Sequence, residues 1–288
     1  MKLCFYSCCN ESYIPFAIQT LYSIQLQHPN YDYFVICDSS NVMYTEMCKR
    51  FNITLRYVNI HHYFNRCTSR HWPSYCFWIL YGIHIFENEY DYCCSVDGDI
   101  YCHKPLDFTI LDNQKDLYVV RTRRCINTGF VIYNISSLLK KHFFDVVLQL
   151  YKTFSFQSDQ HLLIHFVKHK ESKPFQIQYI NSAYNYTLGY ENIHRINIPR
   201  YEFPQIVWKD GEKGGSVDLE KTPNCLNISL YHFVYKWWVD KNNKQTNIHP
   251  IYKYAYALHK QFLYTYFSKE EEHAQNDKFK ILLFNKMI

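Results

Sequence analysis

The stretch "YDYCCSVDGDIYCHKPL", residues 90–106, decides the fold because it joins an apolar strand to a pair of carboxylates. The run from Tyr92 to Val96 is apolar, as expected of a strand that is buried on both faces. Asp97 and Asp99 follow directly, on either side of Gly98. Two close negative charges raise each other's pKa unless a cation lies between them. The pattern predicts a divalent-cation site at a strand end, with a solvated turn as the alternative.

The segments before this stretch alternate between strands and helices. Strands are predicted at 2–8, 33–37, 54–60 and 90–96, with helices at 15–28, 41–51 and 72–87 between them. This alternation implies right-handed crossovers and a mainly parallel sheet that is covered by helices on both faces. Ligands bind such sheets beyond the carboxyl ends of the strands. Asp97 and Asp99 lie at one of these ends.

Beyond residue 115 the pattern becomes mixed. Strands are predicted at 117–121 and 129–134, and helices at 137–152, 158–169 and within 250–288. Ser158 is the predicted N-cap of its helix, with Asp159 in the first turn. We therefore predict an α/β domain over residues 1–245, with a mixed, mostly parallel sheet. A C-terminal helical extension, 246–288, is predicted to pack on it and offers a surface for a homodimer.

Composition limits the classes of protein that this chain can belong to. It has 288 residues, of which 48% are hydrophobic and 20% are charged, so neither a disordered chain nor a membrane bundle is expected. The net charge of +5 comes without a long Lys/Arg block, so no nucleic-acid partner is predicted. No secretory signal and no run of about 18 apolar residues is found, which predicts a cytoplasmic protein without a transmembrane segment.

Five short motifs share their order and spacing with one known family. They are "YCCSVDGDIYCHKPL" (92–106), "NTGFVIYN" (127–134), "QSDQHLL" (157–163), "INSAYNYT" (180–187) and "LYHFVYKWW" (230–238). Together they resemble the glycogenin-like retaining glycosyltransferases, over roughly residues 1–240. The resemblance implies a single GT-A (Rossmann-like) domain and a metal-dependent transferase that takes its sugar from a UDP-sugar.

The resemblance also implies a metal site. Asp97 and Asp99 match the metal-binding Asp-x-Asp of the family, with Gly98 at the nucleotide, and His232 matches the third protein ligand. Carboxylate oxygens suit Mg²⁺, Ca²⁺ or Mn²⁺, and an added histidine shifts the preference toward Mn²⁺. We therefore expect Mn²⁺, with Mg²⁺ as the alternative.

Three further residues are similar to nucleotide-binding residues of the family. The segment "NESY" (10–13) resembles the start of the uracil pocket, with Tyr13 as the stacking residue and Asn10 as a polar contact. Lys236 is similar to the lysine that grips the diphosphate. A metal and a lysine together would neutralise the charge that develops on the leaving nucleotide.

The sugar site is implied by five more residues. The Asn-x-Gly motif and the Asp-Gln pair of the family match Asn127 with Gly129 and Asp159 with Gln160, and a sugar-site asparagine matches Asn185. Asn127, Asp159 and Gln160 are the expected catalytic residues. Retention of anomeric configuration needs a carboxylate nucleophile, for which Asp159 is the candidate, or front-face attack assisted by the leaving phosphate. The sequence leaves both routes open.

Two departures from the family pattern concern phosphate binding. The family has an Arg or Lys on the helix before the Asp-x-Asp strand, where this chain offers Trp78 and Tyr81; Arg66 or Arg70 could substitute. The glycine that follows the His-Phe pair is replaced by Val234-Tyr235. Closure over the diphosphate is therefore expected to differ.

The donor sugar and the acceptor stay open at this level. UDP-glucose, UDP-galactose and UDP-N-acetylglucosamine all fit, and the acceptor could be a glycan, a protein or a small molecule. The resemblance, with 28 tyrosines, prompts the hypothesis of self-glycosylation on tyrosine. Two other functions remain: a catalytically silent UDP-sugar-binding protein, and a metal-dependent nucleotidyl or phosphoryl transferase.

Overall fold

The structure is a computed structural model. It describes residues 1–38, 41–59, 63–64, 74–102, 104–121, 126–154, 156, 158–181, 184–187, 206–207, 216–217 and 230–232. Contacts group Met1–Tyr186 with Ile228–His232 into one compact unit, which contains nearly all of these residues. A second unit contributes a short antiparallel pair, Ile206–Val207 with Ser216–Val217. The predicted boundary at residue 245 and the helices beyond it lie outside the described residues.

The elements of the described part follow the predicted alternation. The strands are β1 Leu3–Cys8, β2 Asp32–Cys37, β3 Thr54–Tyr57, β4 Tyr92–Val96, β5 Ile100–Cys102, β6 Leu117–Arg121, β7 Ile126–Asn134, β8 Ile177–Ile180, β9 Tyr186–Thr187, β10 Ile206–Val207, β11 Ser216–Val217 and β12 Leu230–His232. The α-helices are α1 Ile14–Gln27, α2 Val42–Lys49, α3 Gly82–Ile85, α4 Ile135–Lys140, α5 Phe143–Thr153 and α6 Asp159–Lys168. Short 3₁₀ helices cover Glu11–Tyr13, Ser74–Tyr81 and Lys170–Ser172.

The central sheet has seven strands in the order β3-β2-β1-β4-β7-β6-β8. Adjacent strands are parallel except where β7 pairs with β4 and with β6. Six strands therefore point the same way and β7 alone is reversed, which confirms the predicted mixed, mostly parallel sheet. The reversal brings the start of β7 to the same edge as the carboxyl ends of β1 and β4.

A second, three-stranded sheet has the order β5-β12-β9. Its strand β5 begins directly after the turn at Gly98 and pairs antiparallel with β12, so that Ile100 lies opposite His232. This small sheet therefore returns a distant part of the chain to the end of β4. No helix in the described part of the chain combines the length and the apolar character needed to cross a membrane.

Three predicted elements differ in detail. The segment predicted as a helix at 72–87 is a 3₁₀ helix, Ser74–Tyr81, followed by the single turn of α3. The consecutive residues Phe77–Leu80 are all buried, so the 3₁₀ helix has no amphipathic stripe of the kind that a surface α-helix shows. The helix predicted at 137–152 is divided into α4 and α5 because His142 adopts a left-handed backbone, with φ at 52°. The strand predicted to begin at residue 129 begins at Ile126.

The predicted start of α6 is confirmed. The hydroxyl of Ser158 accepts a hydrogen bond from the N–H of His161 at 3.3 Å, as an N-cap residue does. Asp159 is then the first helical residue, where the backbone N–H groups favour a negative charge. The N-cap at Ser158 therefore fixes where α6 begins, and with it the position of Asp159.

A buried aspartate ties the edge of the sheet farthest from β3 together. The side chain of Asp116 is fully buried and accepts hydrogen bonds from Lys141 Nζ at 2.6 Å, from the N–H of Gln176 at 2.5 Å and from the hydroxyl of Ser137. These partners lie at the start of β8 and on α4 and its end. One carboxylate therefore links three segments that are distant in sequence.

Replacing Asp116 with Ala should lower the free energy of unfolding by about 3 kcal/mol, because it leaves the Lys141 ammonium without its carboxylate and removes three accepted bonds. Urea unfolding followed by circular dichroism measures this change. The matched control is Asp145→Ala on α5, because the Asp145 side chain is 74% exposed. Equal stability of the two variants would contradict the assignment of Asp116 as a structural link.

Candidate functional site

The candidate site lies where β4 ends and β7 begins. The antiparallel register of these strands places Val96 opposite Phe130. The N–H of Asp97 then donates to the carbonyl of Gly129 at 3.0 Å, which extends the strand pairing by one bond. The turn through Gly98 therefore starts from a fixed point, and both aspartates project from it.

His232 completes a cluster with these two aspartates. Its Nε2 lies 3.1 Å from Asp99 Oδ1 and 3.5 Å from Asp97 Oδ2. One ligand atom from each residue lies within 4.8 Å of the others, and this is the one such group among the described residues. The structure thus brings together the three residues that the sequence predicts as metal ligands, from β12 and from the turn between β4 and β5.

The three groups of this cluster change one another's pKa. Burial, reinforced by Asp99 and Asp159 and opposed by His232, raises the pKa of Asp97 to about 7. The side chain of Asp97 still exposes 40% of its surface, so solvent reaches the carboxylate on one side. Burial alone would lower the pKa of His232, but the neighbouring Asp99 and Asp97 raise it above its ordinary value. Two carboxylates are therefore held close to each other and to His232, and a bound cation could neutralise their negative charge.

The donor atoms fit a divalent cation. Two carboxylate oxygens and one imidazole nitrogen form a set of hard and borderline ligands, and the partial exposure of both aspartates leaves room for further ligands from solvent or substrate. His232 Nδ1 is buried and makes no hydrogen bond within the described part of the chain, while Nε2 faces the two carboxylates. A cation here would be reached from the open side of the turn.

A network of amides lies beside this cluster. Asn127 Oδ1 accepts hydrogen bonds from the N–H of Gly129 at 2.8 Å and from Asn185 Nδ2 at 2.6 Å. All three residues are in the buried part of the site, although Asn185 comes from the segment before β9. The predicted sugar-site residues Asn127, Gly129 and Asn185 therefore meet in space, which their sequence separation does not require.

Gly129 has no room for a side chain. A Cβ atom on this residue would lie 2.5 Å from His232 Nδ1 and 2.9 Å from Asn185 Nδ2. By contrast, a Cβ on Gly98 would meet nothing closer than the backbone nitrogen of Ala17 at 3.5 Å, an ordinary contact. The glycine that the site requires for packing is therefore Gly129, on the strand opposite the aspartates.

Asp159 lies at the N-terminus of α6 and is buried. Burial raises its pKa to about 6, although hydrogen bonds from the hydroxyl of Thr128 and from the N–H of Gln160 oppose that shift. Its charge is felt at Asp97 and at His232, so Asp159 belongs to the same electrostatic group. Gln160 follows it with a half-buried side chain.

The predicted nucleotide residues lie after β1. Tyr13 ends the 3₁₀ helix Glu11–Tyr13, and burial, with Asp99 and Cys76 nearby, raises the pKa of its hydroxyl to about 12. Asn10 precedes that helix, and its carbonyl accepts the N–H of Tyr13 at 3.0 Å. Tyr13 is therefore near the aspartate pair, while a role of Asn10 in binding stays a prediction.

The predicted phosphate contacts are only partly described. Lys236, Arg66 and Arg70 lie outside the described residues. Trp78 is fully buried, and the ring of Tyr81 packs against Phe144 with centroids 4.9 Å apart. The 3₁₀ helix that carries these two residues therefore offers no cation to a phosphate.

The sequence interpretation missed two residues around Asp159. Thr128 lies between Asn127 and Gly129 on β7, and its hydroxyl donates a hydrogen bond to the carboxylate of Asp159. Cys8 ends β1, and burial, Asp97 and Asp159 raise the pKa of its thiol, so it stays neutral. Extending the predicted strand back to residue 126 would have exposed the position of Thr128.

The fold is shared with solved glycosyltransferases. The galactosyltransferase LgtC, in complex with donor and acceptor sugar analogs, aligns over 96% of this chain and 100% of its own, at 13% identity and a TM-score of 0.63. The glycosyltransferase GlyE of Streptococcus pneumoniae TIGR4 aligns over 93% and 66%, at 12% identity and a TM-score of 0.57. Mouse xyloside xylosyltransferase 1 aligns over 86% and 100%, at 10% identity and a TM-score of 0.52.

These similarities define the class of fold. No protein-family model and no curated sequence matches the chain. At identities of 10–13% the structural similarity establishes a shared architecture, and the predicted GT-A fold is thereby confirmed. The specific likeness to the glycogenin-like family stays a prediction.

Replacing Gly129 with Ala should weaken binding of Mn²⁺ about tenfold or more, because the added methyl group would displace the His232 imidazole and the Asn185 amide. The matched control is Gly98→Ala, whose methyl group meets only ordinary contacts and should change Mn²⁺ affinity little. Isothermal titration of Mn²⁺ into each purified variant measures both effects. A larger loss in the Gly98 variant would contradict the packing described here.

Proposed function

We propose that this chain is a metal-dependent retaining glycosyltransferase that transfers a sugar from a UDP-sugar. The observation that carries the proposal is the meeting of Asp97, Asp99 and His232 at the strand-end edge of a sheet whose fold is shared with solved glycosyltransferases. Beside this cluster lie amides and a carboxylate that could hold a sugar.

Asp97, Asp99 and His232 would hold the cation, with Mn²⁺ favoured over Mg²⁺ because one ligand is an imidazole nitrogen. A divalent cation in this position supplies Lewis-acid stabilisation of the charge that develops on a departing nucleotide diphosphate. The hydrogen bond from the N–H of Asp97 to the carbonyl of Gly129 holds in place the turn that carries both aspartates. Tyr13, whose hydroxyl is influenced by the charge of Asp99, would stack on the base of the nucleotide.

Asn127, Asn185 and Asp159 would orient the donor sugar. Amide and carboxylate groups bind sugar hydroxyls through directional hydrogen bonds, which fixes the anomeric carbon relative to an acceptor. Asp159 is buried and fixed by the start of α6, as a group that must keep one position requires. Trapping of a covalent sugar adduct on Asp159 would indicate the nucleophilic route, and its absence would favour front-face attack assisted by the leaving phosphate.

One observation favours a second candidate, a catalytically silent UDP-sugar-binding protein. The 3₁₀ helix Ser74–Tyr81 carries no basic residue; its Phe77 and Trp78 are buried, and its Tyr81 packs against Phe144 of α5. Phosphate gripping would then depend on the cation and on residues such as Lys236. A protein with a weak grip on the diphosphate could bind a donor and turn it over slowly or not at all.

UDP release from UDP-glucose, UDP-galactose and UDP-N-acetylglucosamine should depend on Mn²⁺ and should identify one preferred donor. In the Asp97→Asn/Asp99→Asn double variant the rate should fall at least about 100-fold, because the carboxylates that hold the cation are gone. A coupled assay for free UDP measures the rate, and chelation with EDTA serves as the control for metal dependence.

The alternatives give different results in the same assay. Metal-dependent UDP binding without release from any donor would favour the silent binding protein. Release of pyrophosphate or phosphate in place of UDP would contradict sugar transfer and indicate a nucleotidyl or phosphoryl transferase.

A further inference from the structure

His232 has two ring nitrogens, and the metal cluster uses only Nε2; the other, Nδ1, needs a hydrogen-bond partner of its own. The residue is 5% exposed, and its Nε2 faces Asp97 and Asp99. Its Nδ1 is buried and makes no hydrogen bond to any residue that the structure describes. If Nε2 binds a cation, Nδ1 must carry the proton. A histidine that binds a metal almost always donates this second N–H to an oxygen, which fixes the ring and strengthens the ligand. A buried N–H without such an acceptor costs free energy.

Among the described residues, Asn185 is a neighbour of His232 that can accept this proton. A Cβ placed on Gly129 would touch both His232 Nδ1 and Asn185 Nδ2, at 2.5 Å and 2.9 Å, so the imidazole and the amide pack against the same side of that glycine. Asn185 is 1% exposed, and its Nδ2 already donates to Asn127 Oδ1 at 2.6 Å. The atom of the amide that can accept a proton is therefore Oδ1.

We propose that Asn185 is a positioning residue that couples cation binding to the alignment of the donor-sugar site. Its Oδ1 accepts the N–H of His232 Nδ1 when Nε2 holds a cation, and its Nδ2 holds the side chain of Asn127. Asn185 acts through these two neighbours, whatever contact it makes with a sugar. This inference rests on the proposed function, since it assigns a role within the same site.

Asn127 is also linked to the second metal ligand, Asp97, through hydrogen bonds of Gly129. Asn127 Oδ1 accepts the N–H of Gly129 at 2.8 Å, and the carbonyl of Gly129 accepts the N–H of Asp97 at 3.0 Å. Asp97 and His232 are both members of the metal cluster. The path from one metal ligand to the other through Gly129, Asn127 and Asn185 is therefore hydrogen-bonded at each step except the contact between Asn185 and His232, which the proposal supplies.

Two substitutions at position 185 separate the two bonds. Asn185→Ala removes both, whereas Asn185→Asp keeps an acceptor for His232 and loses the donor to Asn127. Titration of Mn²⁺ alone should show binding about tenfold weaker than wild type for Asn185→Ala, and no weaker than wild type for Asn185→Asp. Both variants should lose the preference for a UDP-sugar over UDP, measured with the same three donors. The exposed Asn181, changed to Ala, is the matched control and should behave as wild type.

The outcomes distinguish this inference from the function on which it rests. Equal Mn²⁺ affinity in wild type and both Asn185 variants would overturn the coupling and leave the proposed function standing. Equal weakening in Asn185→Ala and Asn185→Asp would overturn the assignment of Oδ1 as the acceptor. Failure of the wild type to bind Mn²⁺ would overturn the proposed metal site, and the coupling with it.

A measurement on the wild type keeps the proposal testable if a variant does not fold. In this experiment Mg²⁺ is titrated into the wild type, up to concentrations at which it competes with Mn²⁺ for the site. Binding of Mg²⁺ should shift the side-chain amide signals of Asn185 and Asn127 in a ¹⁵N–¹H spectrum. The Nδ1–H signal of His232 should at the same time become protected from exchange. Side-chain amide signals that stay fixed during the titration would contradict the coupling.

Discussion

The burial of Asp97 close to Asp99 and Asp159 is the constraint on which this site depends. Burial and mutual repulsion raise the pKa of Asp97 and make its charged form costly, and His232 compensates for that cost only in part. Groups of this kind remain at a sheet edge when a cation or a substrate compensates for them. The surrounding fold is the framework that holds these charged groups close together.

That framework consists of two strand pairings that end at the same place. The pairing of β4 with the reversed strand β7 fixes Asp97 against Gly129, and the pairing of β5 with β12 carries His232 to the far side of the turn. Gly129 lies between the two pairings, where any side chain would push the imidazole away. The buried charge of Asp116, which links β8 to α4, serves the stability of the fold. It lies at the β8 edge of the sheet, whereas the aspartates of the site follow β4.

Much of this arrangement could be predicted from the sequence. Apolar runs and helical periods predict β1 to β4 and α1 to α2, and the position of Asp97 at a strand end predicts the edge where the site lies, because both depend on local pattern. The break at His142 could not be predicted, since it depends on one left-handed residue within an otherwise helical pattern. The role of Thr128 and the closeness of Asn185 to His232 depend on strand length and on pairing between distant segments, which local pattern does not contain.

The central claim is that Asp97, Asp99 and His232 together bind one divalent cation. Anomalous diffraction from crystals grown with Mn²⁺, collected on both sides of the manganese absorption edge, tests it directly. The account predicts one strong anomalous peak within coordination distance of the two carboxylates and of His232 Nε2. A peak that lies beyond coordination distance of His232, or the absence of any peak at this edge of the sheet, would contradict it.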